Sequence, residues 1–265
     1  MQPRVALTVA GSDSGAGAGL QADLKTFAAL GVFGTSVVTA VTAQNTAAVL
    51  GVDRVDPAFV DLQLEAVLAD LPVAAVKTGM LASSATVATV GRWAAAGRLP
   101  NLVVDPVLTA STGRPLLDDG ACRAYLEHLL PHALAVTPNL REASLLTGRE
   151  VSDLDGMVEA ARWLAGHGPR LVVVKGGHLP GATAPDVVWH DGALSVLEQP
   201  RVDTANDHGT GCTLSAAMTA ALARGEEPGD AVVEAKRYVT GALRGAASWQ
   251  FGAGRGPLDH FGWEP

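Results

Sequence analysis

A single α/β domain built on a doubly wound, mostly parallel sheet is what this 265-residue sequence predicts. Three observations carry the expectation. Short runs rich in Val, Leu and Ala recur, each bounded by turn residues and mostly followed by a stretch of helical length. Those runs lack the polar and apolar alternation of a half-exposed strand, as parallel strands covered on both faces should. Hydrophobic residues make up 48% of the chain and charged residues 17%, and no repeat, low-complexity linker or charge run marks a boundary, so residues 1–265 read as one domain with extensive buried sheet.

In order, residues 4–10 (RVALTVA) form the first strand, followed by a glycine-rich turn and a helix over 20–30. Strand 35–41 is next, and 49–55 reads as a hairpin or edge strand beside it. A helix over 58–70, strand 73–77, helix 83–96 and strand 102–105 continue the alternation. Helix 120–130, strand 134–137, helix 157–167 and strand 171–175 complete it. Around the turn signal Asp191-Gly192, residues 187–189 and 193–197 read as a second edge hairpin. Two long helices close the chain, over 211–223 and over 228–249, the second opened by Pro228. The tail GAGRGPLDHFGWEP is expected to be irregular and surface-bound.

Charge and cysteine content exclude several function classes. The net charge of −8 leaves no basic stripe for a phosphate backbone, so nucleic acid is excluded as the principal partner and a small molecule is favoured. The two cysteines, Cys122 and Cys212, are too few and too distant for a disulfide framework or a C-x-x-C metal site, which points to a reducing compartment. No apolar run reaches the roughly 18 residues of a membrane span. The opening MQPRVALTVAGSDSG meets Gly and Asp too early for a signal peptide, so a cytoplasmic location is expected.

In an open parallel sheet ligands bind beyond the carboxyl ends of the strands, and there the sequence is eventful. After the first strand stands GSDSGAGAG, whose glycines are expected to bring backbone amides close to a ligand at a helix N-terminus. Its spacing is not G-x-G-x-x-G, no P-loop occurs, and a plain βα turn is the competing reading. Asp105 follows the fourth main strand in DPV, where it caps a turn or serves a ligand. Asn139 and Glu142 open a helix in TPNLRE; Glu142 either complements the helix terminus or joins Asp105 as a hard oxygen ligand for Mg2+. Lys175 ends a strand before two glycines, from which its ammonium reaches the crevice or snorkels to solvent. In DTANDHGTGCT, Gly209, Thr210 and Gly211 turn free amides outward as an anion site, and Cys212 sits where the helix field is expected to lower its thiol pKa and let it take a proton. The competing reading of Cys212 is an inert, buried small hydrophobe.

GSDSGAGAGLQADLKTFAALG, AVTAQNT, KTGML, DPV, TPNLREA, VKGGH and DHGTGCTLSAA occur in the order and spacing of a known family. The chain resembles the hydroxymethylpyrimidine/phosphomethylpyrimidine kinases of thiamine biosynthesis, within the ribokinase superfamily, from about Val5 to Phe261. The resemblance implies a three-layer α/β/α sandwich and ATP-dependent phosphorylation of 4-amino-5-hydroxymethyl-2-methylpyrimidine, then of its monophosphate, at one site. It implies that Gly11, Asp23, Gln44, Met80 and Val107 form the pyrimidine pocket, with Gln44 and Asp23 as hydrogen-bonding groups and Met80 and Val107 over the ring faces. It implies Asp105 and Glu142 for Mg2+, Asn139 and Lys175 near the ATP phosphates, Thr210 and Gly211 in the anion hole, and Cys212 as catalytic base. A homodimer is also implied, with 49–55 a candidate contributor to its interface. Many relatives carry a lysine where this chain has Ser111, which bears on the second phosphorylation.

The nearest alternative is a kinase of the same fold acting on pyridoxal, pyridoxine or pyridoxamine, whose rings also carry hydroxymethyl groups. A serine hydrolase using Ser12 or Ser14 lacks a G-x-S-x-G elbow. A binding protein that lost turnover is the non-enzymatic reading, and the presence of Asp105, Glu142 and Cys212 weighs against it.

Overall fold

The computed structural model describes residues 2–109, 118 and 120–263. Its elements in chain order are β1 (Val5–Asp13), α1 (Gly19–Ala29), β2 (Phe33–Gln44), β3 (Val49–Arg54), α2 (Pro57–Asp70), β4 (Val73–Thr78), α3 (Ser84–Ala95), β5 (Val103–Val104), α4 (Ala121–Ala124), β6 (Ala135–Val136), α5 (Leu140–Thr147), α6 (Leu154–Ala165), β7 (Leu171–Lys175), β8 (Thr183–His190), β9 (Ala193–Pro200), α7 (Thr210–Arg224) and α8 (Pro228–Gly245). Among the described residues, one sheet holds nine strands in the order β3-β2-β1-β4-β5-β6-β7-β8-β9. β2, β1 and β4 to β7 run parallel, whereas β3, β8 and β9 are antiparallel additions at the two edges.

The lack of alternation in the strand sequences has a direct cause. Leu7 and Val9 of β1, with Val172 and Val174 of β7, face one core, packed against α2 to α6. Ala6 of β1, with Leu171 and Val173 of β7, face a second core against α1, α7 and α8. Both faces of each central strand are therefore apolar. The second face is built from smaller side chains, Ala6, Ala75, Val103 and Ala135, and meets Ala216, Ala217, Ala220 and Ala221 of α7. Small residues on both sides let the α7 backbone lie close to the sheet, and residues Thr213 to Ala223 of that helix are all buried.

Several boundaries differ from the expectation. β5 and β6 are two residues long, because the chain leaves the sheet at Asp105-Pro106 and at Thr137-Pro138, where proline removes the next ladder donor. α6 starts at Leu154 rather than 157, since Asp153 caps it by accepting from the Gly156 amide at 2.8 Å. The predicted helix over 120–130 is α-helical only to Ala124 and then becomes a π turn, Tyr125–Leu129, and a 3-10 turn, Leu130–His132, around Pro131. α5 runs to Thr147, further than its opening alone indicated. α8 ends at Gly245 instead of 249, and the carbonyls of Ala246 and Trp249 beyond it accept from Asn206 Nδ2 at 2.7 and 2.9 Å.

The tail corrects a further expectation. It is irregular but not surface-bound: Leu258, Asp259 and His260 are buried. The Asp259 amide donates to the Ala242 carbonyl at 3.1 Å, the His208 amide to the Gly256 carbonyl at 3.0 Å, and the Arg255 amide to the Thr46 carbonyl at 3.1 Å. The tail thus straps the β2–β3 turn to the loop that leads into α7.

Candidate active site

The strand order reverses direction at β1, whose neighbours β2 and β4 connect to opposite halves of the sheet. A crevice outside the carboxyl ends is expected at such a switch point. A cavity of about 410 Å³ lies there, lined by Gly11 to Asp13 after β1, Gln44 at the end of β2, Met80 after β4, Asp105 and Val107 after β5, Asn139 to Glu142 after β6, Lys175 of β7 and Asp207 to Cys212 at the start of α7. Twelve of the thirteen residues singled out from the sequence line it. The exception is Asp23, whose carboxylate is fully buried behind the cavity. Asp23 Oδ2 accepts from Lys77 Nζ at 2.9 Å and from Thr8 Oγ1 at 2.6 Å, so it faces the β1–β4 seam rather than a ligand. Burial disfavours the Lys77 ammonium, yet Asp23 first, then Cys212 and Asp105, hold its pKa above the ordinary lysine value.

The acids and Lys175 form one network. Asp105 Oδ1 accepts from Lys175 Nζ at 2.9 Å and from Thr137 Oγ1 at 3.2 Å, and Oδ2 accepts from Ser215 Oγ at 3.1 Å. Burial pushes the Asp105 carboxyl up, but Lys175 and Lys77 outweigh it and hold it below the usual carboxylate range. Glu142 completes a capping box, its Oε2 accepting from the Asn139 amide at 2.8 Å while Asn139 Oδ1 accepts from the Glu142 amide at 2.9 Å. Burial raises Glu142 to about 7 despite the attraction of Lys175. Lys175 stays charged because Asp105 and Glu142 overcome its own burial.

Gly209 stands at the N-cap of α7 with φ +89°, and a Cβ there would land on the Gly17 carbonyl oxygen. Thr210 spends its hydroxyl and its amide on the Asp207 carbonyl, at 2.6 and 3.3 Å. The amides left for an anion are therefore those of Gly211 and Cys212, which lie in the first turn and have no preceding intrahelical carbonyl. A Cβ on Gly211 would sit 3.0 Å from Lys175 Nζ, so the ammonium of β7 stands beside these amides.

Two expectations about this region are corrected. Three amides of the glycine-rich loop are turned away from a ligand: those of Gly15, Gly17 and Ala18 all donate to the Asp13 carboxylate, at 2.8, 3.1 and 2.9 Å. The Cys212 thiol is not made acidic by the helix terminus. Burial pushes it up to about 12, against Lys77 and the Gly19 amide, with Asp23 and Asp105 adding to the rise.

Sequence reasoning left out Asp13, Lys77, His208, Ser215 and Arg255. Asp13 and His208 lie inside quoted motifs, and an aspartate two residues before a glycine is an Asx-turn signal. Arg255 had none: it reaches the rim because the tail returns to it, and it grips Asp207 side-on through one guanidinium edge, Nε to Oδ1 at 2.6 Å and Nη2 to Oδ2. Ser111, Thr112 and Gly113 lie outside the described residues.

A sequence model described as phosphomethylpyrimidine kinase matches residues 13–259. A hydroxymethylpyrimidine/phosphomethylpyrimidine kinase of Rhizobium meliloti is 49% identical over 259 residues, 97% of either chain. Among solved structures, a phosphomethylpyrimidine kinase from Clostridium difficile superposes with a TM-score of 0.80 at 39% identity, covering 91% of this chain and 99% of that one. The Staphylococcus aureus pyridoxal kinase in complex with AMP-PCP and pyridoxal does so with a TM-score of 0.90 at 33% identity, covering 99% and 95%.

Proposed function

Because this chain belongs to the phosphomethylpyrimidine kinase family, we propose that it transfers the γ-phosphoryl group of ATP to the hydroxymethyl oxygen of 4-amino-5-hydroxymethyl-2-methylpyrimidine, and then to the resulting monophosphate, in thiamine biosynthesis. The observation that carries the reading is the meeting, at the switch point, of the Gly211 and Cys212 amides with Lys175, Asp105 and Glu142 on one side and Gln44, Met80 and Val107 on the other. Phosphoryl transfer is mostly positioning and charge neutralisation, and this arrangement supplies both.

Gly11, Gln44, Met80 and Val107 hold the ring, with the Gln44 amide matched to its polar edge and the Met80 thioether to its face. Asp23 acts at one remove, by holding Lys77 charged beneath the site. The Gly211 and Cys212 amides take the transferred phosphoryl oxygens, while Asn139, through the amide NH2 that its capping role leaves over, and Lys175 hold the remaining phosphates. Mg2+ fits the donor set: Asp105 and Glu142 are hard carboxylates, and a cation that keeps several waters needs only one or two of them beside phosphate. When bound it neutralises phosphate charge. In the free protein Cys212 carries its proton, so acting as base requires that proton to leave as cationic groups gather around the sulfur.

We extend the proposal to a cytoplasmic location and to a homodimer, the latter because edge strand β3 presents Leu50 at 75% exposure and the neighbouring β2 exposes Val41.

A coupled ADP-release assay with hydroxymethylpyrimidine, its monophosphate and pyridoxal tests the reading. Turnover of both pyrimidines is expected; turnover of pyridoxal alone would refute the substrate assignment. Cys212→Ala keeps the backbone amide, so it isolates the sulfur, and a fall in kcat of about 10²–10⁴-fold is expected for loss of a general base. Near wild-type kcat would remove Cys212 from that role.

A further inference from the structure

Gln44 is held in an unusual way. Ser14 Oγ accepts from the Gln44 amide at 2.8 Å and donates to the Gln44 carbonyl at 2.7 Å, so the backbone is pinned on both sides. What stays free is the side-chain amide, whose two ends are nearly equal in size but opposite in hydrogen bonding. The Gln44 Nε2 position lies 3.1 Å from His208 Nε2, and the same His208 Nε2 lies 3.1 Å from Asp13 Oδ2, so the hydrogen bonding has to decide which end of the amide stands there.

The chemistry of Asp13 decides which way the amide turns. Its carboxylate accepts three backbone amides, and although burial disfavours its charge, His208 and those amides hold it below the ordinary range. An ionised carboxylate only accepts, so His208 Nε2 must carry the proton. A nitrogen that carries its proton cannot also accept from an NH2 group, so the Gln44 amide turns over to bring its carbonyl oxygen to that position, where it shares the single Nε2–H with Asp13 Oδ2. The NH2 is then left for a ring acceptor. His208 itself has little room to move, because a Cβ on Gly17 would sit 2.5 Å from its Cδ2.

We propose that His208, its tautomer fixed by Asp13, is a positioning residue that turns Gln44 so that the cavity offers a hydrogen-bond donor to a ring nitrogen of the substrate. This rests on the reading of Gln44 as a ring contact, and it makes the Asp13–His208–Gln44 chain a device for selecting nitrogen heterocycles that present an acceptor at that edge.

Steady-state kinetics with hydroxymethylpyrimidine separate the two ideas. Gln44→Ala is expected to raise KM about tenfold, the loss of one hydrogen bond. His208→Ala and His208→Asn are expected to raise it similarly with kcat within about threefold, while His208→Gln, whose amide nitrogen stands in for Nε2, restores most of it. In the Gln44→Ala background His208→Ala should add nothing. An additive effect there would overturn the positioning role while leaving the ring contact standing; an unchanged KM for Gln44→Ala itself would overturn both. Should the His208 variants fail to fold, ¹⁵N-histidine NMR of the wild-type protein at about pH 8, above the ordinary imidazole range, decides: an Nε2–H tautomer at His208 is expected, and Nδ1–H overturns the proposal.

Discussion

Removing the Lys77 ammonium tests the placement of Asp23. Both side chains are fully buried, and their 2.9 Å contact joins α1 to β4 beneath the cavity. Lys77→Met keeps the apolar stem and roughly the volume, and leaves Asp23 with Thr8 as its remaining donor, since Oδ1 has no hydrogen-bond partner among the described residues. Breaking a buried pair from one side costs about 3–5 kcal/mol, because the abandoned charge has lost both water and partner. For a chain of this size that corresponds to a fall in Tm of roughly 10 °C. The deficit should depend on pH. An unpaired, buried Asp23 has its folded pKa raised, so its contribution to stability is present below its unfolded value and lost as pH rises. Lys77→Met is therefore expected to lie furthest below wild type near pH 8 and closer to it near pH 5. Lys77→Met/Asp23→Asn, which removes the stranded charge, should recover part of the loss at the higher pH. Urea unfolding of the three proteins at both pH values measures this. A deficit under about 1 kcal/mol, or one that does not shrink at lower pH, would show that Asp23 is not committed to Lys77 and would return it to the cavity wall.

Glu142 gives a second pH test: burial raises it to about 7 from an ordinary 4.5, so its contribution to stability is present below the lower value and lost as pH rises through the upper. Wild-type stability is expected to decline between about pH 5 and pH 8, and Glu142→Gln should flatten that decline in urea titrations. Light scattering at micromolar concentration is expected to give about twice the 27.0 kDa chain mass, and a single species at the chain mass would remove the homodimer.

Much of the fold was legible because the elements that make it are locally signalled. The strand over Leu171–Lys175 is found at its predicted bounds, since an apolar run between Pro169-Arg170 and Gly176-Gly177 leaves no other register. Where boundaries moved, a tertiary partner moved them. α8 stops at Gly245 because Asp259 from the returning tail packs against that glycine and Asn206 takes the carbonyls beyond it. Neither partner is visible from the helix's own sequence. The buried tail follows the same logic: Leu258 and His260 look like an irregular terminus until α7 and α8 give them something to pack against.

The site divides along the same line between local and non-local causes. A glycine turn before a helix announces free amides, and the Gly211 and Cys212 amides are there because helix geometry alone requires it. The glycine-rich loop after β1 makes an equally local promise and breaks it, because Asp13 sits within reach and consumes three amides before any ligand arrives. Cys212 fails as an acidic thiol for the converse reason. The helix terminus is present, but the half-buried thiol at the cavity wall stands near Asp23 and Asp105, and desolvation with these carboxylates drives its pKa upward. A pKa is a property of everything within several ångströms, and strands distant in sequence supply most of what surrounds this sulfur. The consequence for the proposed mechanism is that a thiol held at about 12 cannot serve as base until its proton is displaced, which gives any cation bound with the phosphates a second task. On the proposed reading of Cys212 as base, cations held with the phosphates would set when its proton can leave, and that would couple proton acceptance to occupancy of the phosphate site.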